Sequence, residues 1–190
     1  MIKDYIKTYP DLYLDDLSEY KIHVAIFDVD GVFTDGSISY SNNGFETKTF
    51  NVLDGIGVQI LNHSGIDVKI VTGRQSEVVS RRFNELGVHE VFQGVVDKRS
   101  LVNDIINNSK YEAAHFSYMG DDFPDLAVFD LVGLSCAPQN AHWLVKQNAI
   151  ITTANCGGFG AVREFVDRIL IASGKCPYQE YLNMIGDKYK

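Results

Sequence analysis

The chain has few of the residues that mark cross-linked, fibrous or membrane-spanning proteins. Its 190 residues include only 3 cysteines and 4 prolines, and no apolar run approaches the ~18 residues of a membrane span. The cysteines are widely spaced and form no C-x-x-C pair, which indicates neither a disulfide framework nor a zinc site. The N-terminus is not typical of a signal peptide. We therefore expect a soluble, cytoplasmic protein that does not enter a membrane.

Basic residues are also scarce. The 17 Lys and Arg stand against 25 Asp and Glu, for a formal charge of -8, which argues against nonspecific binding to nucleic acid or to an anionic bilayer. The 5 histidines lie too far apart for a local zinc motif. An anionic ligand would therefore need a positive site built for it.

Short apolar runs alternate along the chain with segments in which apolar residues recur every three or four positions. The runs predict strands near residues 22–27, 67–72, 88–92, 114–119, 131–135 and 149–152. The amphipathic segments predict helices at 55–64, 75–86, 98–109, 123–129, 139–147 and 160–173. This alternation is typical of an α/β protein with a Rossmann-like, doubly wound, mostly parallel sheet and helices on both faces.

One segment departs from the alternation. Residues 37–50 have apolar positions with a period of two on either side of Asn42-Asn43-Gly44, which predicts a β-hairpin projecting after the first strand. There is no insertion for a separate cap domain, so only this hairpin could cover a site. Residues 21–175 are expected to form one domain, with an N-terminal extension at 1–20 and a C-terminal tail at 176–190.

Acidic residues cluster after two of the predicted strands. Three aspartates follow the first strand, namely Asp28, Asp30 and Asp35. Three more follow the strand at 114–119, namely Asp121, Asp122 and Asp125. Either group alone is common in turns. Because both lie at the carboxyl edge of the sheet, they would repel each other unless a cation lies between them, and clustered oxygen ligands favour Mg²⁺.

Two further strand ends carry groups suited to an anion. Thr72, Gly73 and Arg74 precede a predicted helix, whose free N–H groups and positive dipole end would face the same place. The alternative is an N-cap Thr beside a surface Arg. Lys98 begins another helix, where the macrodipole disfavours a cation by about 0.3 to 1 kcal/mol. A cation placed there against the helix dipole indicates a ligand.

These motifs, in this order, resemble the haloacid dehalogenase superfamily of phosphotransferases. They are the Asp-rich segment at 28–36, Thr72, Lys98 and the Gly-Asp-Asp-x-x-Asp segment at 120–125. The hairpin and the segments at 50–55, 72–74 and 157–164 are similar to the capless branch that contains phosphatases of 3-deoxy-D-manno-octulosonate 8-phosphate (KDO 8-phosphate). The similarity covers about residues 21–175.

The resemblance implies a phosphatase that passes through an aspartyl-phosphate. Asp28 would be the nucleophile, and Asp30 would protonate the leaving alkoxide and later deprotonate water. Thr72 and Lys98 would bind the phosphoryl oxygens that do not react. Asp30 favours a phosphomonoesterase over the ATPase-like relatives, which typically carry Thr at that position.

The resemblance also implies a metal set. Mg²⁺ would be bound by the side chains of Asp28 and Asp121 and by the backbone carbonyl of Asp30. Asp122 and Asp125 would orient its water ligands.

The positions that match the family's contacts to the sugar acid are Asp30, Asn51, Val52, Leu53, Asp54, Gly55, Gly73, Arg74, Arg82 and Lys98. Arg74 suits a carboxylate through paired N–H bonds, whereas Arg82 has the alternative of a solvated surface charge. Family members close the site by forming a homotetramer, in which residues 157–163 of a neighbour would reach the pocket. The alternative for residues 157–160 is a plain loop.

The implied activity is hydrolysis of KDO 8-phosphate to KDO and phosphate in lipopolysaccharide precursor synthesis. The runner-up is a phosphatase of the nine-carbon KDN 9-phosphate, whose pattern has Glu in place of Arg74 and Lys in place of Glu85. A catalytically silent sugar-phosphate-binding module is a third alternative. It is disfavoured because a pure binder has no use for two carboxylates crowding a phosphate.

Overall fold

The structure is a computed structural model that describes Leu17 and residues 19–188. The predicted N-terminal extension therefore lies almost entirely outside the described residues. Apolar runs form six strands, which are β1 (Val24–Phe27), β4 (Asp67–Val71), β5 (Glu90–Phe92), β6 (Phe116–Met119), β7 (Leu134–Ala137) and β8 (Ile151–Thr152). They join in the order β5-β4-β1-β6-β7-β8, and every neighbouring pair is parallel. This confirms the predicted sheet.

The predicted hairpin is also confirmed. Strands β2 (Ser39–Tyr40) and β3 (Glu46–Thr47) pair antiparallel in a separate two-stranded sheet. Gly44 adopts a φ of 79° in the turn between them, a conformation that favours glycine. Among the described residues the chain passes from this hairpin directly into a helix, without a cap domain.

Helices cover both faces of the sheet. One layer consists of α1 (Val52–His63), α2 (Glu77–Glu85), α6 (Ala161–Ala172) and α7 (Pro177–Lys188). The other consists of α3 (Lys98–Asn107), α4 (Phe123–Phe129) and α5 (Trp143–Asn148). Strand β1 alternates between the two cores, since Ala25 and Phe27 face the first layer and Val24 and Ile26 face the second. In the part of the chain described here, no helix is both long enough and apolar enough to span a membrane.

The predicted C-terminal tail contains helix α7, which packs on the first layer. Met184 of this helix is buried in the core, and Glu180 accepts a hydrogen bond from the hydroxyl of Ser64. Residues 177–188 therefore form part of the helical layer.

Three predicted boundaries differ from the structure by three residues or more. Helix α1 begins at Val52 instead of residue 55, strand β7 begins at Leu134 instead of residue 131, and helix α5 begins at Trp143 instead of residue 139. Residues 139–142 remain outside the helix because they hold neighbouring loops. The amide of Gln139 donates to the carbonyl of Asn155, and the amide of His142 donates to the carbonyl of Asp121.

The strand order places a topological switch point beside the first strand. The chain leaves β1 to form β4 on one side and later returns to form β6 on the other. Parallel sheets open a crevice at the carboxyl ends of the two strands where the order reverses. The segments that follow Phe27 and Met119 therefore meet at one crevice.

Candidate active site

The segment after β1 is a tight loop fixed to the core. The amide of Asp28 continues the ladder by donating to the carbonyl of Met119 at 2.9 Å. Val29, Val32 and Phe33 are buried, and the hydroxyl of Thr34 accepts the amide of Gly31 at 3.3 Å. The loop is thus anchored on both sides of the Asp28 carboxylate, which is itself buried.

The segment after β6 brings a second carboxylate to the same place. Gly31 approaches Asp121 so closely that a Cβ built on Gly31 would lie 1.9 Å from Asp121 Oδ2, and its φ of 83° also favours glycine. One carboxylate oxygen each from Asp28, Asp121 and Asp125 lies within 4.8 Å of the others. The predicted convergence of the two acidic groups is therefore present in the structure.

Asp125 differs from Asp28 and Asp121 in its hydrogen bonds. Its Oδ1 accepts from the Lys98 ammonium at 2.7 Å and from the Tyr118 hydroxyl at 2.6 Å. Its Oδ2 accepts from the amides of Asp121 and Asp122 at 2.9 and 3.2 Å. Both oxygens are occupied by protein donors, so Asp125 orients the other groups and is not suited to bind a metal directly.

The residues present fit a divalent cation. The Asp28 Oδ2 atom lies 2.9 Å from the Lys98 ammonium, whereas Oδ1 is buried and has no hydrogen-bond partner among the described residues. A buried carboxylate oxygen without a donor is costly unless a ligand satisfies it. The hard oxygen donors of Asp28 and Asp121 match the preference of Mg²⁺.

The charges of this cluster do not balance. Burial, followed by the charge of Asp125, raises the pKa of Asp28 to about 7, although Lys98 opposes the shift. Burial, followed by the charges of Asp28, Asp125 and Asp122, raises the pKa of Asp121 to about 8. The Lys98 ammonium is held by Asp28 and Asp125, which raise its pKa against the effect of burial. The site therefore carries excess negative charge, which favours the binding of a cation.

A cleft of about 370 Å³ opens above the carboxylates, a size within the usual range for a small-molecule site. Its lining includes most of the residues predicted to act on the phosphate and the metal, namely Asp28, Asp30, Thr72, Gly73, Arg74, Lys98, Asp121, Asp122 and Asp125. Thr72 does not cap a helix, because α2 begins at Glu77.

Several predicted sugar-acid residues lie away from this cleft in the single chain. The side chain of Asp54 is fully buried and accepts the amide of Arg163 at 2.9 Å, which joins α1 to the start of α6. Gly55 packs against Arg82, since a Cβ there would lie 2.3 Å from the guanidinium. Arg82 also lies over the ring of Phe50 at 5.9 Å, so it is not a solvated surface charge.

The remaining residues of this predicted set lie at the exposed start of α1. The Asn51 side chain caps the helix by accepting the amide of Leu53 at 2.8 Å. Val52 and Leu53 are exposed. Their contact with a sugar acid stays a prediction.

Residues 157–160 pack on the loop that carries Asp28 in the same chain. A Cβ on Gly157 would lie 1.8 Å from the carbonyl oxygen of Gly31. The amide of Gly158 donates to the carbonyl of Val32 at 3.0 Å, and its own carbonyl accepts from the side chain of Asn51 at 3.3 Å. This segment therefore supports the loop that carries Asp28 in its own chain, a contact that the sequence alone did not indicate.

Sequence reasoning missed the polar residues of the hairpin. Lys48 binds Asp30 Oδ1, and its ammonium lies 3.7 Å from Glu46. Glu46 accepts from Ser76 and lies 3.4 Å from the Arg74 guanidinium, which also donates to the Tyr40 hydroxyl. The period-two pattern of residues 37–50 could have shown which side chains share a face, but not that this face meets the cleft.

Comparisons with known proteins agree with this geometry. The profile of the haloacid dehalogenase-like hydrolases matches residues 84–162. The curated 3-deoxy-D-manno-octulosonate 8-phosphate phosphatase KdsC of Escherichia coli K12 is 42% identical over 154 residues, which cover 81% of this chain and 82% of that protein. The KdsC protein of Yersinia pestis is also 42% identical over 154 residues, with the same coverage.

Solved structures show the same similarity. The crystal structure of the Yersinia pestis phosphatase superposes with a TM-score of 0.82 at 41% identity and covers 85% of this chain and 88% of that chain. The Moraxella catarrhalis phosphatase, solved with magnesium, phosphate and KDO, gives a TM-score of 0.79 at 37% identity over 86% of this chain and 92% of that chain.

Proposed function

Because the chain belongs to the haloacid dehalogenase-like hydrolases, within the family of 3-deoxy-D-manno-octulosonate 8-phosphate phosphatases, we propose that it hydrolyses KDO 8-phosphate to KDO and phosphate. The proposal rests on the surroundings of the two carboxylate oxygens of Asp28. Lys98 holds Oδ2 of this carboxylate, and Oδ1 is buried without a protein donor among the described residues, in a group whose carboxylate oxygens approach those of Asp121 and Asp125 within 4.8 Å. A carboxylate placed in this way suits attack on phosphorus beside a bound cation.

The first proposed step transfers the phosphoryl group to Asp28. A carboxylate oxygen of Asp28 bonds to phosphorus while the bond from phosphorus to the ester oxygen breaks. The electron pair of that bond passes to the ester oxygen, and Asp30 gives this oxygen a proton. Lys98 and the Thr72 hydroxyl stabilise the phosphoryl oxygens, since both line the cleft next to Asp28.

The second proposed step restores the enzyme. Asp30, now ionised, takes a proton from water as that water attacks phosphorus. The bond from phosphorus to Asp28 breaks, its electrons return to the carboxylate, and inorganic phosphate leaves.

We propose Mg²⁺ as the cofactor, held by Asp28, Asp121 and the backbone carbonyl of Asp30. Bound there, it supplies positive charge that offsets the carboxylate and phosphoryl charges. Asp122 would orient its water ligands. Asp125, whose two oxygens already accept from Lys98, Tyr118 and two amides, would act by fixing Lys98 and the segment that carries Asp121. Burial, followed by the charges of neighbouring carboxylates, raises the pKa of Asp121 to about 8, and this environment supports the assignment because a bound cation would relieve it.

Arg74 is the proposed partner of the sugar-acid carboxylate. Its side chain is 39% exposed at the cleft, where Tyr40 and Glu46 orient the guanidinium. A guanidinium held in one plane can bind a carboxylate through two parallel N–H bonds.

We also propose that the protein acts as a cytoplasmic homotetramer in lipopolysaccharide precursor synthesis. Exposed apolar side chains at the hairpin, at the start of α1 and in the loop before α6 support an interface, namely Tyr40, Phe45, Val52, Leu53 and Phe159. Burial of such side chains between subunits is favourable.

A turnover assay with matched substrates tests the proposed function. We expect Mg²⁺-dependent phosphate release from KDO 8-phosphate, faster than from KDN 9-phosphate and abolished by EDTA. Arg74→Ala should raise KM for KDO 8-phosphate by about tenfold or more, the usual effect of losing a charge-assisted pair, while KM for a neutral hexose phosphate changes little. Arg81→Ala is the control, because Arg81 is an exposed arginine that pairs with Glu85.

Preference for KDN 9-phosphate would instead support the nine-carbon alternative. Absence of release from any sugar phosphate in the presence of Mg²⁺ would support the binding module. Equal effects of Arg74→Ala on both kinds of substrate would remove the role proposed for Arg74.

A further inference from the structure

Lys48 is a buried cation in an exposed hairpin. It directly follows β3, yet its side chain is completely shielded from solvent. Its ammonium binds Oδ1 of Asp30 and lies 3.7 Å from Oε1 of Glu46. Removing an ammonium from water is costly unless carboxylates replace its hydration, and here two carboxylates do so.

Lys48 binds Asp30 without lining the cleft. Asp30 and Arg74 line the cleft, whereas Lys48 is not among the lining residues. The second carboxylate oxygen of Asp30, Oδ2, lies 3.9 Å from Nε of Arg74 and so points toward the cleft side. The two oxygens of Asp30 therefore have different surroundings, one bound by Lys48 and the other available to a substrate.

We propose that Lys48 is a positioning residue for the acid–base carboxyl of Asp30. By binding Oδ1, it directs Oδ2 toward the ester oxygen of the substrate, so that the proton passes from Oδ2 to that oxygen as its bond to phosphorus breaks. In the second step the same Oδ2 takes the proton of the attacking water. This inference rests on the proposed function, since it gives Asp30 the acid–base role.

A separate anchor is needed because a carboxyl group rotates easily about its terminal torsion. General acid catalysis needs the donor within about 2.6 to 3.2 Å of the oxygen that it protonates. The hairpin has only two paired residues in each strand, which is too few for stability in isolation. Its contacts with Asp30, Arg74 and Ser76 therefore position the hairpin and the carboxyl group together.

The test compares leaving groups in Lys48→Met. An alkoxide needs a proton to leave, whereas p-nitrophenolate leaves without one. We expect kcat for KDO 8-phosphate to fall about 10- to 100-fold, because misplacement of a catalytic group costs that much. In rapid mixing, the rate of p-nitrophenolate release from p-nitrophenyl phosphate in the first turnover should change less than about threefold, since this step needs no general acid.

The control is Lys69→Met. Lys69 is also a mostly buried lysine that binds two carboxylates, Asp67 and Glu90, but it lies away from the cleft. Its loss should leave the ratio of the two rates unchanged. Lys48→Arg keeps a cation on Asp30 and should behave more like the wild type than Lys48→Met does. If Lys48→Met fails to fold by circular dichroism, Lys48→Gln takes its place in the same comparison.

Three outcomes would overturn the inference. They are an equal loss with both substrates, no loss with KDO 8-phosphate, and a Lys48→Arg variant that shows the full defect of Lys48→Met. A failure of the proposed function is seen separately, because wild-type protein would then not hydrolyse KDO 8-phosphate. A crystal structure of Lys48→Met provides a readout other than activity, in which the Asp30 carboxyl group should be rotated.

Discussion

Two buried clusters of charge differ in how their carboxylates are satisfied. In the scaffold cluster, Glu164 accepts from Arg168 at 3.0 Å, from the amides of Ala154 and Asn155, and from the Asn155 side chain. In the cleft cluster, by contrast, Lys98 faces three carboxylates, and Oδ1 of Asp28 has no donor among the described residues.

The difference separates a structural charge from a functional one. A protein that buries a carboxylate for stability surrounds it with donors, as Glu164 is surrounded. A protein that leaves buried carboxylates with too few donors incurs an energetic cost, and that cost is removed when a cation binds. We infer that the scaffold cluster stabilises the fold and that the cleft cluster is complete only with its metal.

Asp28→Asn should give the largest effect and should act on activity alone. The amide cannot form the acyl phosphate, so we expect kcat for KDO 8-phosphate to fall by about 10⁴-fold or more, as when other covalent nucleophiles are removed. The far-ultraviolet circular dichroism spectrum should stay the same. The urea concentration at the midpoint of unfolding should not fall, since the variant removes one negative charge from a cluster that has an excess of it. Readily measurable turnover would mean that another residue attacks phosphorus.

Glu164→Gln should show the opposite pattern. Replacing a buried carboxylate that binds a guanidinium and two amides should lower the free energy of unfolding by about 3 kcal/mol, measured by urea denaturation. The kcat of the folded fraction should stay close to that of the wild type. Asp104→Asn, at an exposed position of α3, is the control and should change stability little. A loss no larger than in this control would show that the scaffold cluster does not stabilise the fold.

The pH dependence of the stability of metal-free protein should show the excess negative charge of the cleft, alongside a contribution from the buried Asp54, whose pKa burial raises to about 6. The pKa of Asp121 is raised to about 8 and that of Asp28 to about 7, both from an ordinary value of 3.8. The folded state therefore binds more protons than the unfolded state in this window. Stability is greatest at the acid end and falls as pH rises from about 4 to about 8.

Mg²⁺ should reverse this loss. It binds the ionised carboxylates, so at 100 times its Kd it should add about 2.7 kcal/mol at pH 8 and much less at pH 5. Thermal unfolding in EDTA and in Mg²⁺ at both pH values measures the difference. Glu164→Gln should keep the same dependence on pH and metal, because its defect lies elsewhere. Equal stabilisation by Mg²⁺ at both pH values would contradict the assignment of the excess charge to the cleft.

The fold and the cleft cluster could be predicted from the sequence because both depend on local pattern and on one rule of sheet geometry. Apolar runs define the strands, and parallel strands place their carboxyl ends at one edge. Asp28 and Asp121 therefore had to approach each other. The scaffold cluster was not predicted, because nothing local distinguishes Glu164 from an exposed acid of an amphipathic helix.

The sequence also shows no sign of residues whose role depends on contacts between distant parts of the chain. Lys48 lies in a hairpin whose period-two pattern says nothing about what the hairpin covers. Likewise, Gly157 and Gly158 have the pattern of a loop in sequence. Only their close approach in the fold, of Gly157 to Gly31 and of Gly158 to Thr34 and Asp35, shows why a side chain is excluded at both positions. Helix α7 was placed in a tail because its contacts with α1 join parts of the chain that are distant in sequence.

Asp121→Asn should give the smallest change in the stability of the metal-free protein, and it tests most closely whether the two clusters differ. The asparagine keeps the shape of the side chain and removes one charge from the cleft cluster. We therefore expect metal-free protein at pH 8 to gain about 1 kcal/mol in the free energy of unfolding, while stabilisation by Mg²⁺ is largely lost. Asp125→Asn in the same cluster should instead destabilise, because Asp125 binds Lys98, Tyr118 and two amides. If urea denaturation shows that Asp121→Asn also destabilises the metal-free protein, the protein itself balances the charge of Asp121, and the distinction between the two clusters fails.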